Sequence, residues 1–232
     1  MPWPRPGGAS CRAGPYLVGK ESAMHLQSLS QLILGIPAIL MALTFHEYAH
    51  GKAAYFLGDP TARNQGRLTL NPLAHLDPLG TLLLIVAGFG WAKPVQINPF
   101  YFQIDRRKGM MLVGLAGPLM NLVLAYLAAV LLHLFLRLDL GGIWIQTFLN
   151  LLVGYNVVLA VFNLIPVPPL DGSRVLAGIL PPEGGAAVYR LESYGTLILL
   201  LLIATGIISR ILGPLVNLVL NLIIAASGLA FI

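Results

Sequence analysis

Residues 31–58 read QLILGIPAILMALTFHEYAHGKAAYFLG, and this stretch decides what kind of protein the chain is. Its first fifteen residues are almost wholly apolar, as in a helix surrounded by lipid. Four charged or titratable side chains then follow closely: His46, Glu47, His50 and Lys52. Such groups cost about 2.5–3.5 kcal/mol each at the centre of a membrane helix, so a cluster of them needs a partner and indicates a functional site.

The composition predicts an integral membrane protein. Of 232 residues, 57% are hydrophobic and 10% are charged, whereas globular proteins have about 25% charged residues. The net charge of +5 comes from Lys and Arg in loops between apolar runs. This arrangement indicates orientation in a lipid bilayer, and we expect no nucleic-acid partner. The single cysteine, Cys11, excludes an internal disulfide framework and a cysteine-based zinc site.

Six apolar segments predict an all-α polytopic membrane protein with about five transmembrane helices. A spanning helix needs about 20 apolar residues, and five of the six segments reach or approach that length. The exception is 78–92, which has about 15 residues and three glycines and favours a re-entrant segment between the first and second spans. Short alternating pieces beside it, 67–70 and 94–97, favour edge strands. The spans are predicted at 27–57, 110–137, 143–165, 194–212 and 214–232.

The chain is predicted to form one membrane-embedded domain over residues 26–232. We expect a core at about 30–180, followed by C-terminal helices over 194–232. Residues 1–25 are rich in Pro, Gly and Arg and lack the apolar region of a secretory signal. We therefore expect a disordered N-terminal tail.

The polar cluster His46-Glu47-Tyr48-Ala49-His50 has the pattern H-E-x-x-H. On a helix, residues four apart differ by about 6 Å in rise and about 40° in rotation, so both imidazoles can bind one metal ion. The glutamate lies about 100° round from the first histidine, within reach of a water on that metal. Two histidines, a carboxylate and an open position make a catalytic zinc site. The alternatives are interfacial histidines at a helix end and a structural or transport metal site.

A third ligand must come from elsewhere, and Asp171 is our choice. It lies in FNLIPVPPLDG at 162–172, where three prolines break an apolar helix. Non-helical backbone at membrane depth is tolerated only inside protein or beside a wet cavity, so a carboxylate there is a functional candidate. The alternative role for Asp171 is an N-cap of a helix that starts at Ser173.

Other titratable residues are weaker candidates for the site. His25 belongs to the N-terminal tail, and we expect it to be solvated. His133 is near the far end of its predicted helix, where an interfacial position is expected. His75 and Asp77 lie in the loop sequence NPLAHLDP and remain possible contacts of the site.

Three motifs together resemble the site-2 protease family of intramembrane zinc metalloproteases: HEYAH at 46–50, AGPLMN at 116–121 and FNLIPVPPLDG at 162–172. The resemblance runs from about residue 30 to 180 and includes RLTLNPLAHLDPLG and GWAKPVQINP, as in a compact branch without a PDZ or CBS domain. For the middle motif, which contains Gly117, Pro118 and Asn121, helix packing is a sufficient explanation.

The resemblance implies an enzyme that hydrolyses peptide bonds within or near the transmembrane segments of single-pass membrane proteins. It implies His46, His50 and Asp171 as ligands of Zn²⁺, Glu47 as catalytic base, and Asn163 as support of the active site. Two rival interpretations stay open: a membrane zinc-binding or zinc-transport protein, and an inactive relative that acts as a scaffold.

A shared metal ion also constrains the topology. The spans at 110–137 and 143–165 separate the histidine pair from Asp171 in the sequence. Two crossings return the chain to the same side of the membrane, whereas a third crossing by 78–92 would put Asp171 on the wrong side. The site therefore requires 78–92 to be re-entrant. Basic loops at 58–77, 93–109 and 166–193 favour a cytoplasmic site, an outside N-terminus and a cytoplasmic C-terminus.

Overall fold

The computed structural model describes residues 16–78, 80, 93–140 and 142–228, which form a helical bundle. The helices are α1 (Tyr16–Phe56), α2 (Thr61–Asn64), α3 (Arg106–Arg137), α4 (Gly142–Asn163), α5 (Asp171–Ile179), α6 (Pro182–Ala204) and α7 (Ile207–Ser227). Two 3₁₀ turns, Pro72–His75 and Pro99–Tyr101, lie between α2 and α3.

Four helices within the described ranges are long and apolar enough to cross a membrane: α3, α4, α6 and α7. Their mean hydropathy ranges from 1.5 to 2.3. A helix bonds its backbone groups internally, as chain surrounded by hydrocarbon must. The predicted all-helical membrane protein is therefore confirmed at this level. The fifth predicted span, 27–57, falls on α1 up to its end at Phe56, and α1 is not one of the four.

The N-terminal part of α1 differs from the expected tail. The helix begins at Tyr16, so residues 16–25 are helical in the stretch that the sequence predicts to be disordered. This part contains Leu, Lys, Glu, Ala and Met, which favour helix, and it contains no proline. Residues 1–15 of the predicted tail, and residues 79 and 81–92 of the predicted re-entrant segment, lie outside the described residues.

The predicted edge strands at 67–70 and 94–97 are not formed; both stretches are irregular. Side chains occupy backbone groups that a β-ladder would use. The guanidinium of Arg67 donates to the Lys93 and Pro94 carbonyls, and the Val95 N–H donates to a carboxylate of α1. The alternating pattern of these two stretches therefore indicates extended chain whose backbone is hydrogen-bonded to side chains.

The two C-terminal helices meet at a different position from the predicted one. The sequence places the boundary at Gly213-Pro214, whereas the chain turns at Thr205-Gly206 and continues as a helix through Pro214. Gly206 has φ +73°, a left-handed conformation that glycine adopts without strain. Proline is tolerated inside membrane helices because neighbouring groups satisfy the freed carbonyl.

The core of the bundle is one cluster of buried side chains from α1, α3, α4 and α7. Helix α3 contributes three alanines to it, and small residues allow helix backbones to approach closely. Close approach matters in lipid because the hydrophobic effect does not drive helices together there. The members are Ala38, Ala125, Ala128, Ala129, Leu132, Leu149, Leu152, Val153, Val157, Val161 and Ile223.

Backbone contacts define the end of the bundle where α1 stops and α3 starts, which we call the proximal end. The Gln103 N–H donates to the Leu57 carbonyl at 2.9 Å, so the chain leaves α1 and enters α3 at the same end. Nearer the undescribed stretch, the Lys93 N–H donates to the His75 carbonyl at 2.8 Å. Arg107 donates to the Leu180 carbonyl at 3.1 Å, so α5 also ends there.

The last two helices do not form the predicted out-and-back pair. Gly185, near the start of α6, packs against the Ala177 carbonyl and Arg107 at the proximal end. Gly228, just after α7, lies beside His133 near the opposite, distal end of α3. Helices α6 and α7 therefore make one net passage along the bundle, and the expected return of the chain to the side of the site is wrong.

The turn between α4 and α5 is sensitive to one glycine. A Cβ at Gly172 would overlap the Leu164 and Ile165 carbonyl oxygens, which are backbone atoms and cannot rotate away. Because overpacking costs about 1–3 kcal/mol, we expect Gly172→Ala to lower the Tm of the purified protein by at least about 2 °C. Gly154→Ala in α4 is the control, since nothing lies within 4 Å of a Cβ added there. Equal Tm values for the two variants would contradict this packing.

Candidate metal centre

The second half of α1 places His46 and His50 side by side inside the bundle. The two residues are one helical turn apart, so their side chains share a face. Their rings meet edge to face, with centroids 4.5 Å apart and planes at 87°. Their Nε2 atoms are 3.0 Å apart, and both side chains are buried. The apolar helix formers before them carry the helix past this point without a break.

Asp171 reaches the same place from a distant part of the chain. Helix α4 ends at Asn163, and three prolines between 166 and 169 prevent the helix from continuing. Asp171 is the first residue of α5, and its Oδ2 lies 3.1 Å from Nε2 of each histidine. The glycine that follows, Gly172, lets the start of α5 pack against the end of α4.

The Asp171 carboxylate presents one oxygen to the histidines. Its other oxygen, Oδ1, lies 3.4 Å from NH1 of Arg174, one turn along α5. The side chain makes no capping bond, and Leu170 is the residue that precedes the first turn. The alternative role, an N-cap for a helix starting at Ser173, is therefore wrong.

The outer nitrogens of both histidines are bound by other groups. His50 Nδ1 lies 2.7 Å from the Val113 carbonyl oxygen, and His46 Nδ1 lies 2.5 Å from Oδ1 of Asn121. A carbonyl oxygen only accepts hydrogen bonds, so each Nδ1 is the donor, and a neutral ring carries its one proton there. In that neutral form, each Nε2 has a lone pair that faces the Asp171 carboxylate.

The donor set fits a zinc ion. Three atoms that can ligate a metal, two Nε2 and one Oδ2, lie 3.0 to 3.1 Å apart. Ligands about 2.0–2.1 Å from a tetrahedral zinc ion are about 3.3 Å apart, close to this spacing. A Cβ at Gly117 would overlap both imidazoles, so only glycine leaves that side open. His46, His50 and Asp171 can therefore hold a metal ion and leave a fourth position for water.

Glu47 points to a different neighbour. Its Oε2 accepts a hydrogen bond of 2.9 Å from the backbone N–H of Val95. Val95 belongs to the irregular segment 93–98, which passes beside α1 between the two 3₁₀ turns. One carboxylate oxygen of Glu47 is thus held by a backbone donor next to the histidine pair.

A buried arginine fixes the segment that holds Glu47. Arg67 donates to the carbonyl of Ala74, to that of Lys93 at 2.5 Å and to that of Pro94 at 3.4 Å. These carbonyls belong to both arms of the loop, before and after the undescribed stretch. Farther along, the Asn98 N–H donates to a carboxylate oxygen of Asp59 at 2.7 Å. The segment is held at both ends.

The structure does not bring the other titratable residues considered into the cluster. His75 is buried, but its Nε2 is 2.8 Å from the Thr69 carbonyl. Asp77 accepts from the Gly80 N–H at 2.8 Å. His133 lies at the distal end, and the side chain of His25 is outside the described part of the chain. The metal-binding group found among the described residues consists of His46, His50 and Asp171.

Asn163 lies close to the site in the chain but makes a local contact. Its Nδ2 donates to the Leu159 carbonyl at 3.0 Å within α4. Its role in the active site stays a prediction.

Sequence reasoning missed four groups that orient the site or the segment beside it. Asn121 was explained by helix packing alone, although a buried amide in an apolar helix is a signal of function. The Val113 carbonyl and the Val95 N–H are backbone groups, and no residue type announces them. Arg67 was counted only as a loop charge.

The family described as peptidase family M50 matches residues 138–204 of the chain. The Bacillus subtilis protein YwhC is 43% identical over 184 residues, which cover 77% of this chain and 84% of that protein. The Rip2 protein of Mycolicibacterium smegmatis is 34% identical, and the match covers 83% of this chain and 75% of that protein. The Rip2 protein of Mycobacterium tuberculosis is 31% identical, and the match covers 81% of this chain and 72% of that protein. All three are named as candidate zinc metalloproteases. No solved structure matches the chain. The family match and the 43% identity over most of both chains show that this chain belongs to peptidase family M50, the site-2 protease family of intramembrane zinc metalloproteases.

Proposed function

We propose that His46, His50 and Asp171 hold the catalytic zinc ion of this metalloprotease and that Glu47 is its general base. One observation carries the proposal: three lone-pair atoms converge, while the outer nitrogen of each histidine is bound elsewhere. Metal-bound histidines nearly always donate their second N–H in this way. Two nitrogens and one carboxylate oxygen are the ligand set of a catalytic zinc site with an open position.

Bound there, zinc would supply a Lewis acid for the scissile carbonyl and would lower the pKa of a bound water towards about 7. Glu47 would act as the general base for the attacking water and would return the proton to the leaving amine. The Val95 N–H holds Oε2 of Glu47, which leaves Oε1 to take the proton. Asp171 and the histidines keep their positions through their contacts with Arg174, Asn121 and the Val113 carbonyl.

The substrate is a single-pass membrane protein that is cut within or near its transmembrane segment. A helical substrate hides its carbonyls in its own hydrogen bonds and must unwind before attack. The segment 93–98 lies beside Glu47 and has no helix of its own before Pro99. An unwound peptide binds alongside it through main-chain hydrogen bonds, as in strand addition. Asn163, at the end of α4, supports the active site.

Residues 26–232 make up one membrane-embedded domain, with a catalytic core at about 30–180 and C-terminal helices after it. Helix α1 spans the membrane together with α3 and α4. The chain is at the same side of the membrane at His75 and at Lys93, which the hydrogen bonds from Lys93 to His75 and from Gln103 to Leu57 support. Helices α3 and α4 then supply the two crossings between the histidine pair and Asp171.

The proximal end faces the cytoplasm and the N-terminus lies outside. Loops at the proximal end carry most of the basic residues, and the turn after α3 at the distal end carries Asp139. Cytoplasmic loops hold the excess of Lys and Arg in membrane proteins. The basic residues at the proximal end include Arg63 of α2, Lys93, and Arg106, Arg107 and Lys108 in the first turn of α3.

Removing the base and removing a ligand should have different effects. We expect Glu47→Gln to keep zinc and to lower cleavage of a single-pass membrane peptide by about 10²–10⁴-fold, since it removes general base catalysis. Asp171→Asn and His46→Ala should lose zinc as well as activity. Zinc per protein and the cleavage rate are measured in the same preparations.

The control for these variants is Glu183→Gln, an exposed change of the same type at the start of α6. It should match the wild type in zinc and in rate. A Glu47→Gln protein with full peptidase activity would contradict the role of Glu47 as general base. A His46→Ala protein that still binds zinc would contradict the role of His46 as a ligand.

Pairing of the substrate with 93–98 predicts a main-chain effect at Gln96, which is exposed. Gln96→Pro removes one N–H from an already extended stretch, so we expect a several-fold higher KM with zinc retained. Gln96→Ala changes the side chain and keeps the N–H, and should behave like the wild type. Equal KM values for the proline and alanine variants would contradict strand addition.

The proposed orientation predicts the labelling of single cysteines in intact cells, in a Cys11→Ser background. Asn64→Cys, between α1 and the 3₁₀ turns, should be protected from a membrane-impermeant maleimide. Leu138→Cys, in the turn after α3, should react. The opposite labelling pattern would contradict the proposed orientation. Permeabilised cells are the control that shows both cysteines can react.

A further inference from the structure

Two asparagines lie inside the apolar bundle and are fully buried, Asn121 on α3 and Asn156 on α4. The Nδ2 of Asn121 is 2.7 Å from Oδ1 of Asn156, and the Nδ2 of Asn156 is 2.8 Å from the Leu152 carbonyl. A buried amide without partners costs several kcal/mol in apolar surroundings, about 2–7 depending on the reference state. We call Asn121 and Asn156 the amide pair.

The direction of the hydrogen bonds in the amide pair is determined at its outer end. The Leu152 carbonyl only accepts, so the NH₂ group of Asn156 must face it and the oxygen must face Asn121. That oxygen accepts from the NH₂ group of Asn121, whose second hydrogen goes to the Ala42 carbonyl at 3.2 Å. The oxygen of Asn121 is therefore turned to Nδ1 of His46.

We propose that Asn156 is a positioning residue for the metal centre: through Asn121 it keeps the proton of His46 on Nδ1 and leaves Nε2 free to bind zinc. Asn156 hydrogen-bonds to Asn121 and to the Leu152 carbonyl, and it acts on the site only through the orientation of the Asn121 amide. The proposal rests on the proposed function, because it requires His46 to be a ligand through Nε2.

The alternative orientation shows why the direction matters. If the Asn121 amide rotated by 180°, its NH₂ group would face Nδ1 of His46. The ring would then accept at Nδ1 and carry its proton on Nε2, the atom that must bind the metal. Zinc binding would have to displace that proton or turn the amide back. Loss of such an outer contact typically weakens metal binding by about 10–100-fold.

The test uses two variants of Asn156 and a matched control. In Asn156→Leu the side chain keeps a similar size but cannot accept a hydrogen bond from Asn121. One buried amide hydrogen of Asn121 is then left without an acceptor. Asn156→Asp stays neutral in this apolar core, so its O–H donates to the Leu152 carbonyl and its other oxygen accepts from Asn121. Asn150→Leu makes the same change in the same helix at an exposed position.

Two measurements are made on the purified full-length protein. The Kd for zinc is obtained by competition with a chelator. Nitrogen-15 NMR of the zinc-free protein, labelled in histidine, reports which ring nitrogen of His46 carries the proton. A purely structural loss would not move that proton.

We expect Asn156→Leu to raise the zinc Kd by about tenfold and to produce a signal from His46 protonated on Nε2. Asn156→Asp and Asn150→Leu should keep the Kd within about threefold of the wild type, below the change expected for a lost outer contact. Three results would each overturn the inference: an unchanged Kd for Asn156→Leu, an equal loss of affinity in Asn156→Asp, or a weakened Kd with the proton of His46 still on Nδ1.

His46→Ala is measured in parallel to separate this inference from the proposed function. If His46→Ala binds zinc like the wild type, the proposed ligand set is wrong. If it loses zinc while Asn156→Leu does not, the ligand set stands and only the role of the amide pair is removed.

Discussion

The convergence of three ligand atoms inside the bundle is the constraint on which the rest of this structure depends. Two imidazole nitrogens of α1 and a carboxylate oxygen of α5 lie about 3 Å from one another in a buried place. Such atoms are stable at this distance when a proton or a cation lies between them, and neutral rings that donate from Nδ1 leave that place to a cation. The bundle meets this constraint by packing α1, α3 and α4 closely around the histidines, with glycine at position 117 where any side chain would collide.

The connections of the chain follow from the same constraint. Asp171 can meet the histidines only if the chain returns to the proximal end after α4, and the proline-rich turn after Asn163 ends that helix before Asp171. The loop between α1 and α3 also starts and ends at the proximal end, where Arg67 joins its two arms through three carbonyls. One arm of this loop carries the backbone N–H that holds Glu47. The general base and the metal ligands are thus oriented by separate parts of the chain.

Much of the fold and of the site could be predicted because their signals are local. Long apolar runs identified the membrane helices, and H-E-x-x-H with a carboxylate on a helix break identified His46, Glu47, His50 and Asp171 as the candidates. The turn at Thr205-Gly206 was missed because Gly213-Pro214 is a stronger breaker in sequence, although a membrane helix tolerates it. The single net passage of α6 and α7 depends on packing against α3, which no local pattern encodes. The predicted edge strands failed because the competing donors and acceptors are side chains distant in sequence, such as Arg67 and Glu47.

The central claim is that this chain binds zinc through two imidazoles from its first helix and one carboxylate from its fifth. X-ray absorption at the zinc edge of the purified, active protein tests it most directly. The account predicts two histidine nitrogens and oxygen ligands at about 2.0–2.2 Å with no sulfur, and no bound zinc in a protein that lacks His50. A spectrum with sulfur or with no histidine, or an active protein that holds no zinc, would contradict it.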